Sequence, residues 1–392
     1  MKIYDFNKPV DRRGSHCVKY DALGQFFGRE DLLPLWVADM DFETPDFIIE
    51  ALHRRLDHAV LGYPVQYDTY WQSIVDWIAT HHSWQVKREW MQYIPGIVKG
   101  IAMAVNAFTQ KGDKIIIQPP VYHPFRNVPT NCGREVVDNP LRRVGDKYEM
   151  DFEHLESIID QTCKMIILAN PHNPIGITWD SQTLKRLAEI ATKHNLIVIS
   201  DEIHCDMALY GNRHIPFASV SNEAANCSIT FGAPSKTFNI AGIVSSYTVV
   251  PNPHLREQFF SWLEAGELNA ATIFAMTATE AAFTQGEEWR QQMLAHIEGN
   301  IDYVDAFLKE HIPAVRLIKP QASFLAWLDF SALGLEHSAL IDMLVNDAHL
   351  AMNDGAMFGT GGKQHTRLNV GTQRAVLEQA MTQLKEAIDK LK

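Results

Sequence analysis

Phe231-Gly232-Ala233-Pro234-Ser235-Lys236-Thr237-Phe238-Asn239 is the stretch that decides how this chain is read. The apolar run before it, Cys227 to Phe231, has the pattern of a buried strand. Small and turn-forming residues follow, and then Ile240-Ala241-Gly242 leads into another apolar run. A lysine placed this way sits at the mouth of a sheet, not on the outer face of a helix. There it can be desolvated, lose basicity and act as an amine nucleophile toward a carbonyl.

Two segments upstream have the same strand-then-polar-turn form. Asn170-Pro171-His172-Asn173-Pro174-Ile175-Gly176 follows the apolar run Met165 to Leu168, and Ser200-Asp201-Glu202-Ile203-His204 follows Leu196 to Ile199. An Asn, an Asp and a Lys at three strand ends match the needs of pyridoxal 5′-phosphate (PLP). Its aldehyde takes a lysine amine, its pyridine nitrogen takes a carboxylate that keeps it protonated, and its ring oxygen takes a hydrogen-bond donor such as an Asn amide. The order Asn173, Asp201, Lys236, with gaps of 28 and 35 residues, resembles the fold-type I PLP-dependent enzymes of the aminotransferase class I/II superfamily. Each motif alone is weak; together they are specific.

Bulk properties agree with a globular enzyme. The chain has 392 residues, 46% apolar and 21% charged, an ordinary composition. Its formal charge of −12, without a basic block, argues against nucleic acid or an anionic membrane as partner. No apolar run is long enough to span a bilayer, and Met1 to Val10 lacks a signal-peptide core. Cys17, Cys132, Cys163, Cys205 and Cys227 are scattered and form no C-x-x-C pair, so reduced thiols and a cytoplasmic location are expected. No P-loop, dinucleotide fingerprint or H-E-x-x-H metal motif is present, and no metal is expected.

Along the chain, the arm Asp11 to Phe42 shows no helical period and reads as an extended segment packed on a surface. Ile48, Ile49, Leu52 and Leu56 recur at helical spacing, Gly62-Tyr63-Pro64 breaks the pattern, and a second helix is expected near Thr69 to His82. Tyr93-Ile94-Pro95-Gly96 runs into a helix from Val98 to Thr109. A helix start offers free amides to a phosphate, which makes Gly96, Ile97 and Val98 candidates. Lys114 to Gln118 reads as a strand, and Tyr122, just beyond it, can stack on a pyridine ring. From Lys114 to Val250, strand and helix alternate. This predicts an α/β fold with a mostly parallel (mixed) sheet of the seven-stranded type between helices, with ligands at the strands' carboxyl ends. Helical segments run from Pro253 to Leu308, with breaks near Gly266 and Gly286. A smaller α+β domain follows, with strands at Val315 to Lys319, Phe324 to Leu328 and around Arg367. The expected boundaries are 1–45 for the arm with part of the small domain, 46–287 for the large domain and 288–392 for the small one. A buried Arg367 must be paired internally or used, and a guanidinium suits a carboxylate.

Trp36-Val37-Ala38-Asp39-Met40-Asp41-Phe42, Asp201-Glu202-Ile203-His204, Ala233 to Asn239 and Phe324-Leu325-Ala326-Trp327-Leu328-Asp329 resemble the MalY/PatB-type cystathionine β-lyase branch over essentially the whole chain. The resemblance implies that Lys236 carries PLP and later takes the substrate Cα proton. It also implies a ring-stacking Tyr122, a tuning His204 beside the ring oxygen, Arg367 as the substrate carboxylate clamp with Ala38, Asn173 and Tyr122 nearby, and Tyr63 reaching the neighbouring subunit's phosphate site in a homodimer. Val244 stands where many superfamily members have a phosphate-binding Arg, and Ala233 where many have a hydroxyl. Ser235 is then the candidate phosphate donor and Lys99 the candidate cation. The implied activity is β-elimination from cystathionine or related cysteine conjugates to thiol, pyruvate and ammonia, in amino-acid metabolism such as methionine biosynthesis. Transamination on the same motifs is the alternative, and some members of the branch also bind a transcription regulator.

Overall fold

A computed structural model describes residues 2–391. Met1 and Lys392, the outermost residues of the expected boundaries, lie outside the described residues. The centre is a seven-stranded sheet. In chain order its strands are β1 (Met91–Ile94), β2 (Lys114–Ile117), β3 (Glu135–Asp138), β4 (Cys163–Ala169), β5 (Ile197–Asp201), β6 (Ser228–Gly232) and β7 (Ser246–Val249). Their spatial order is β1-β7-β6-β5-β4-β2-β3. Strand β7 runs antiparallel to both neighbours, and β6 through β3 run parallel. The sheet is therefore mixed and mostly parallel, as the strand–helix alternation predicts.

The continuous apolar runs of β2 and β4 follow from burial on both faces. Successive side chains point to opposite sides. Ile115, Ile117, Met165, Ile167 and Ile199 pack with Ile101, Val105 and Phe259 of helices Ile97–Phe108 and Pro253–Ala265. Ile116, Ile166, Leu168 and Val198 pack with Leu184, Leu187 and Ala191 of helix Ser181–Lys193. That helix starts where the Asp180 carboxylate accepts from the Thr183 amide at 2.7 Å, a standard N-cap.

A four-stranded antiparallel sheet follows in the chain: β8 (Arg316–Ile318), β9 (Leu325–Asp329), β10 (Asn353–Asp354) and β11 (His365–Asn369), in the order β8-β9-β11-β10. Arg367 is on β11, opposite Trp327. The 25-residue helix Glu287–His311 precedes this sheet, starting at the break near Gly286 that the sequence marks. Between β8 and β9 a loop presses on the turn that carries Asn173. The Gly176 carbonyl accepts from Gln321 and Ala322 amides at 2.8 and 3.0 Å. A Cβ on Gly176 would lie 2.5 Å from Pro320 Cβ and 2.7 Å from the Ala322 carbonyl oxygen, and its φ is +78°. Only glycine suits that position.

Two expectations are corrected. The N-terminal arm is not wholly extended: Val18–Asp21 and Leu23–Phe27 are short helices. Lys19 is fully buried, with its amine 2.7 Å from the Asp41 carboxylate, and Gly28 ends the second helix in the left-handed region. Tertiary ion pairing and a glycine cap hold turns too short to show a hydrophobic period. The strand before Lys236 starts at Ser228, because Cys227 closes the helix Asn222–Cys227.

Candidate active site

Strand register explains why residues far apart in sequence meet. Ala169 of β4 is opposite Asp201 of β5, and Asp201 is opposite Phe231 of β6. Asn173 and Lys236 follow within a few residues of those ends, so all three tips lie on the carboxyl edge of parallel strands, where α/β sheets bind ligands. They line one cavity of about 280 Å³ together with Ala38, Gly96, Ile97, Val98, Lys99, Tyr122, His204, Ser235, Val244, Ser245 and Ser246.

Lys236 is set by a tight turn in which the Phe238 amide donates to the Pro234 carbonyl and the Ile240 amide to Ser235. Its Nζ donates to the Ala38 carbonyl at 2.6 Å. Burial lowers its pKa to about 8, while the Asp39 carboxylate acts in the opposite direction. Asp39 is held by Arg12 through two guanidinium contacts of 2.9 and 2.7 Å. Asp201 Oδ1 accepts from the Ile203 amide at 3.1 Å. Burial raises its carboxyl to about 7; among the described residues no cation donates a hydrogen bond to it. A ring N–H⁺ is the partner such a group calls for.

Arg367 is 4% exposed and bonds only to neutral oxygens: Asn173 Oδ1 at 3.0 Å, Trp36 O at 3.1 Å and Asn353 Oδ1 at 2.6 Å. Its Nε is buried without a partner, and burial lowers its pKa to about 10. Among the described residues no carboxylate pairs with it, so an internal salt bridge is ruled out there. A buried, unneutralised guanidinium is a site for an incoming anion. Because Asn173 spends its oxygen on Arg367, its amide NH2 remains as donor.

Also on the cavity wall, Gly96 (φ +110°) precedes helix Ile97–Phe108, whose first amides lack intrahelical partners. Ser235, Ser246 and Lys99 line the same cavity, as does Ser245, whose hydroxyl bonds Thr279 Oγ1 at 2.6 Å. The donor set therefore fits PLP: a carboxyl without a cation, a desolvated amine, and a helix start with hydroxyls for a phosphate. His204 Nδ1 is 3.2 Å from Ser323 Oγ, and burial drives the imidazole pKa down to about 3.

All predicted site residues except Arg367 and Tyr63 line the cavity. Arg367 reaches it through Asn173. Tyr63 is fully exposed and is not in this chain's own site. Ser245 and Ser246 also line it, and Asp39, Asn353 and Ser323 act on Lys236, Arg367 and His204 from outside it; the sequence assigned a role to none of the five. Only the hydroxyl pair after Val244 offered a signal, as compensation for the missing Arg.

Asp201 gives a pH test. In cofactor-free protein its folded pKa exceeds the unfolded one, so its contribution to stability is present below about pH 4 and lost as pH rises through about 7. Thermal unfolding of apo Asp201→Asn should show the variant gaining on wild type between pH 4 and 7. Parallel curves would show that the Asp201 carboxyl is not perturbed.

Residues 30–384 match the model of the family described as aminotransferase class I and II. The chain is 41% identical to cystathionine beta-lyase PatB of Bacillus subtilis, over 98% of this chain and 100% of that protein. It is 32% identical to protein MalY of Escherichia coli, over 98% and 99%. The crystal structure of cystalysin from Treponema denticola, which contains pyridoxal 5′-phosphate, superposes with a TM-score of 0.96 at 32% identity, covering 100% of both chains.

Proposed function

The chain belongs to the aminotransferase class I and II family, and from that premise we propose that it is a PLP-dependent C–S β-lyase acting on cystathionine or related L-cysteine S-conjugates. What carries the reading is the convergence of Asn173, Asp201 and Lys236 on one cavity in a chain that matches a cystathionine β-lyase from end to end. Bound PLP supplies the electron sink for the pair left at the substrate Cα.

The chain's own residues do the rest. Arg367 grips the substrate carboxylate, next to the Asn173 amide and the Ala38 segment. Lys236 Nζ takes the proton from Cα; burial keeps this amine less basic than an exposed lysine, so a neutral fraction exists near neutral pH. The Cβ–S bond then breaks and the thiolate leaves. Water completes the balance: cystathionine plus water gives homocysteine, pyruvate and ammonia. With the cofactor bound, Asp201 would keep its ring nitrogen protonated, Tyr122 would offer an aromatic surface to the ring, and the His204 and Asn173 side chains would be the donors for its ring oxygen. The amides of Gly96, Ile97 and Val98, with the Ser235 hydroxyl, would hold the phosphate.

Tyr63 belongs to a second copy's site in this reading. Val60, Leu61, Tyr63 and Val65 form an exposed apolar run, the kind of surface that marks an interface. Sedimentation of the loaded enzyme as a dimer is expected; a monomer active at the same specific rate would remove Tyr63 from the site.

The reaction itself is tested with purified, PLP-loaded protein and cystathionine alone. Pyruvate and free thiol are expected without any added 2-oxo acid. A strict requirement for a 2-oxo acid would mark an aminotransferase instead.

A further inference from the structure

Ser323 has a backbone that serine rarely adopts: φ is +78°, although the residue is not glycine and is 3% exposed. Buried left-handed residues persist only where surrounding contacts demand them. Here the Ser323 amide donates to the Met207 carbonyl at 2.9 Å, and the Leu209 amide donates to the Gln321 carbonyl at 2.8 Å. This fixes the β8–β9 loop against the segment just after His204. The outcome is a side-chain hydrogen-bond contact, Ser323 Oγ to His204 Nδ1 at 3.2 Å, beside the Phe324 ring, which meets the imidazole edge-on at 6.1 Å. The rest of the imidazole lines the cavity that holds Lys236. Among the described residues His204 Nε2 has no partner.

We propose that Ser323 is a positioning residue whose hydroxyl donates to His204 Nδ1, fixing the tautomer that presents Nε2–H to the cavity. A neutral imidazole has one donor and one acceptor nitrogen, and the bond at one decides the role of the other. Burial first, and then the neighbouring cations Lys236 and Arg367, oppose protonation of the ring, so the tautomer is the variable left to set. An Nε2–H suits an acceptor such as the cofactor's ring oxygen, and to that extent the inference rests on the proposed function. Ser323 lies two residues before β9, which pairs with β11 through Leu325–Asn369 and Trp327–Arg367. The group that holds His204 is therefore built on the same ladder as the carboxylate clamp.

Ser323→Gly isolates the hydroxyl, because glycine adopts this backbone without penalty. The variant should fold, with an unfolding temperature no lower than wild type. In PLP-loaded protein labelled with 15N-histidine, the His204 resonances are assigned by their loss in His204→Phe. Wild type should show ring-nitrogen shifts of a single Nε2–H tautomer, and Ser323→Gly averaged shifts of both. Catalytic efficiency should fall about tenfold, in line with the loss of a residue that orients a functional histidine, and Ser323→Gly should add nothing further in the His204→Phe background. Unchanged His204 shifts, or additive losses in the double variant, would overturn the inference alone. A wild-type protein that takes up no PLP would overturn the proposed function as well.

Discussion

Lys236→Ala should lower β-elimination activity by about 10⁴-fold, the upper end of what a positioned proton-transfer group contributes. The residue has two tasks that no neighbour can take over. Among the described residues it is the one lysine lining the cavity with a desolvated amine, and in the proposed mechanism it is the base at the substrate Cα. The other lysine of the cavity wall, Lys99, is exposed at the start of its helix. The loss should be chemical, not structural. Lys236 makes a single hydrogen bond, to the Ala38 carbonyl, and the fold already disfavours its charged form. The unfolding temperature of the cofactor-free variant should therefore stay close to wild type. Substantial residual turnover in a folded variant would assign the base elsewhere.

Arg367→Ala carries the second large effect. Losing a buried hydrogen-bonded charge partner costs about 2–5 kcal/mol, which corresponds to roughly 30-fold to several thousandfold in kcat/KM at about 1.4 kcal/mol per decade. Most of it should appear in KM, because the carboxylate is gripped before and during reaction alike. Arg367→Lys should not restore the clamp, since the fork that meets Asn173, Trp36 and Asn353 has no counterpart in a point charge. An unaltered KM in Arg367→Ala would show that a different group holds the substrate.

The contrast between these residues shows what a linear sequence displays. Lys114–Ile117 and Cys163–Ala169 are legible as strands because burial on both faces leaves unbroken apolar runs. Asp201 and Lys236 are legible because each is a charged residue at the end of such a run. Arg367 is legible as a buried charge, but whether a carboxylate answered it depended on the folding of Trp36, Asn173 and Asn353 around it. Asp39 was hidden for a different reason. Its influence on Lys236 comes from the arm lying across the strand tips, pinned by Arg12 and by the Asn239 side chain bonding Met40 and Phe42. Backbone carbonyls such as Ala38 O and Trp36 O carry no side-chain signature at all. Val244 was visible as a departure from the superfamily pattern. Its left-handed backbone, and the Tyr93 hydroxyl bonded to its carbonyl at 3.0 Å, were not.

Asn173, Asp201 and Lys236 form one binding site only if the cofactor becomes attached at the third of them. Borohydride reduction of the PLP-loaded protein, followed by peptide mapping by mass spectrometry, measures this directly. The pyridoxyl group should be found on the peptide containing Lys236 and on no other lysine. A label on Lys99 or any other lysine, or a protein left unlabelled after loading, would contradict the account.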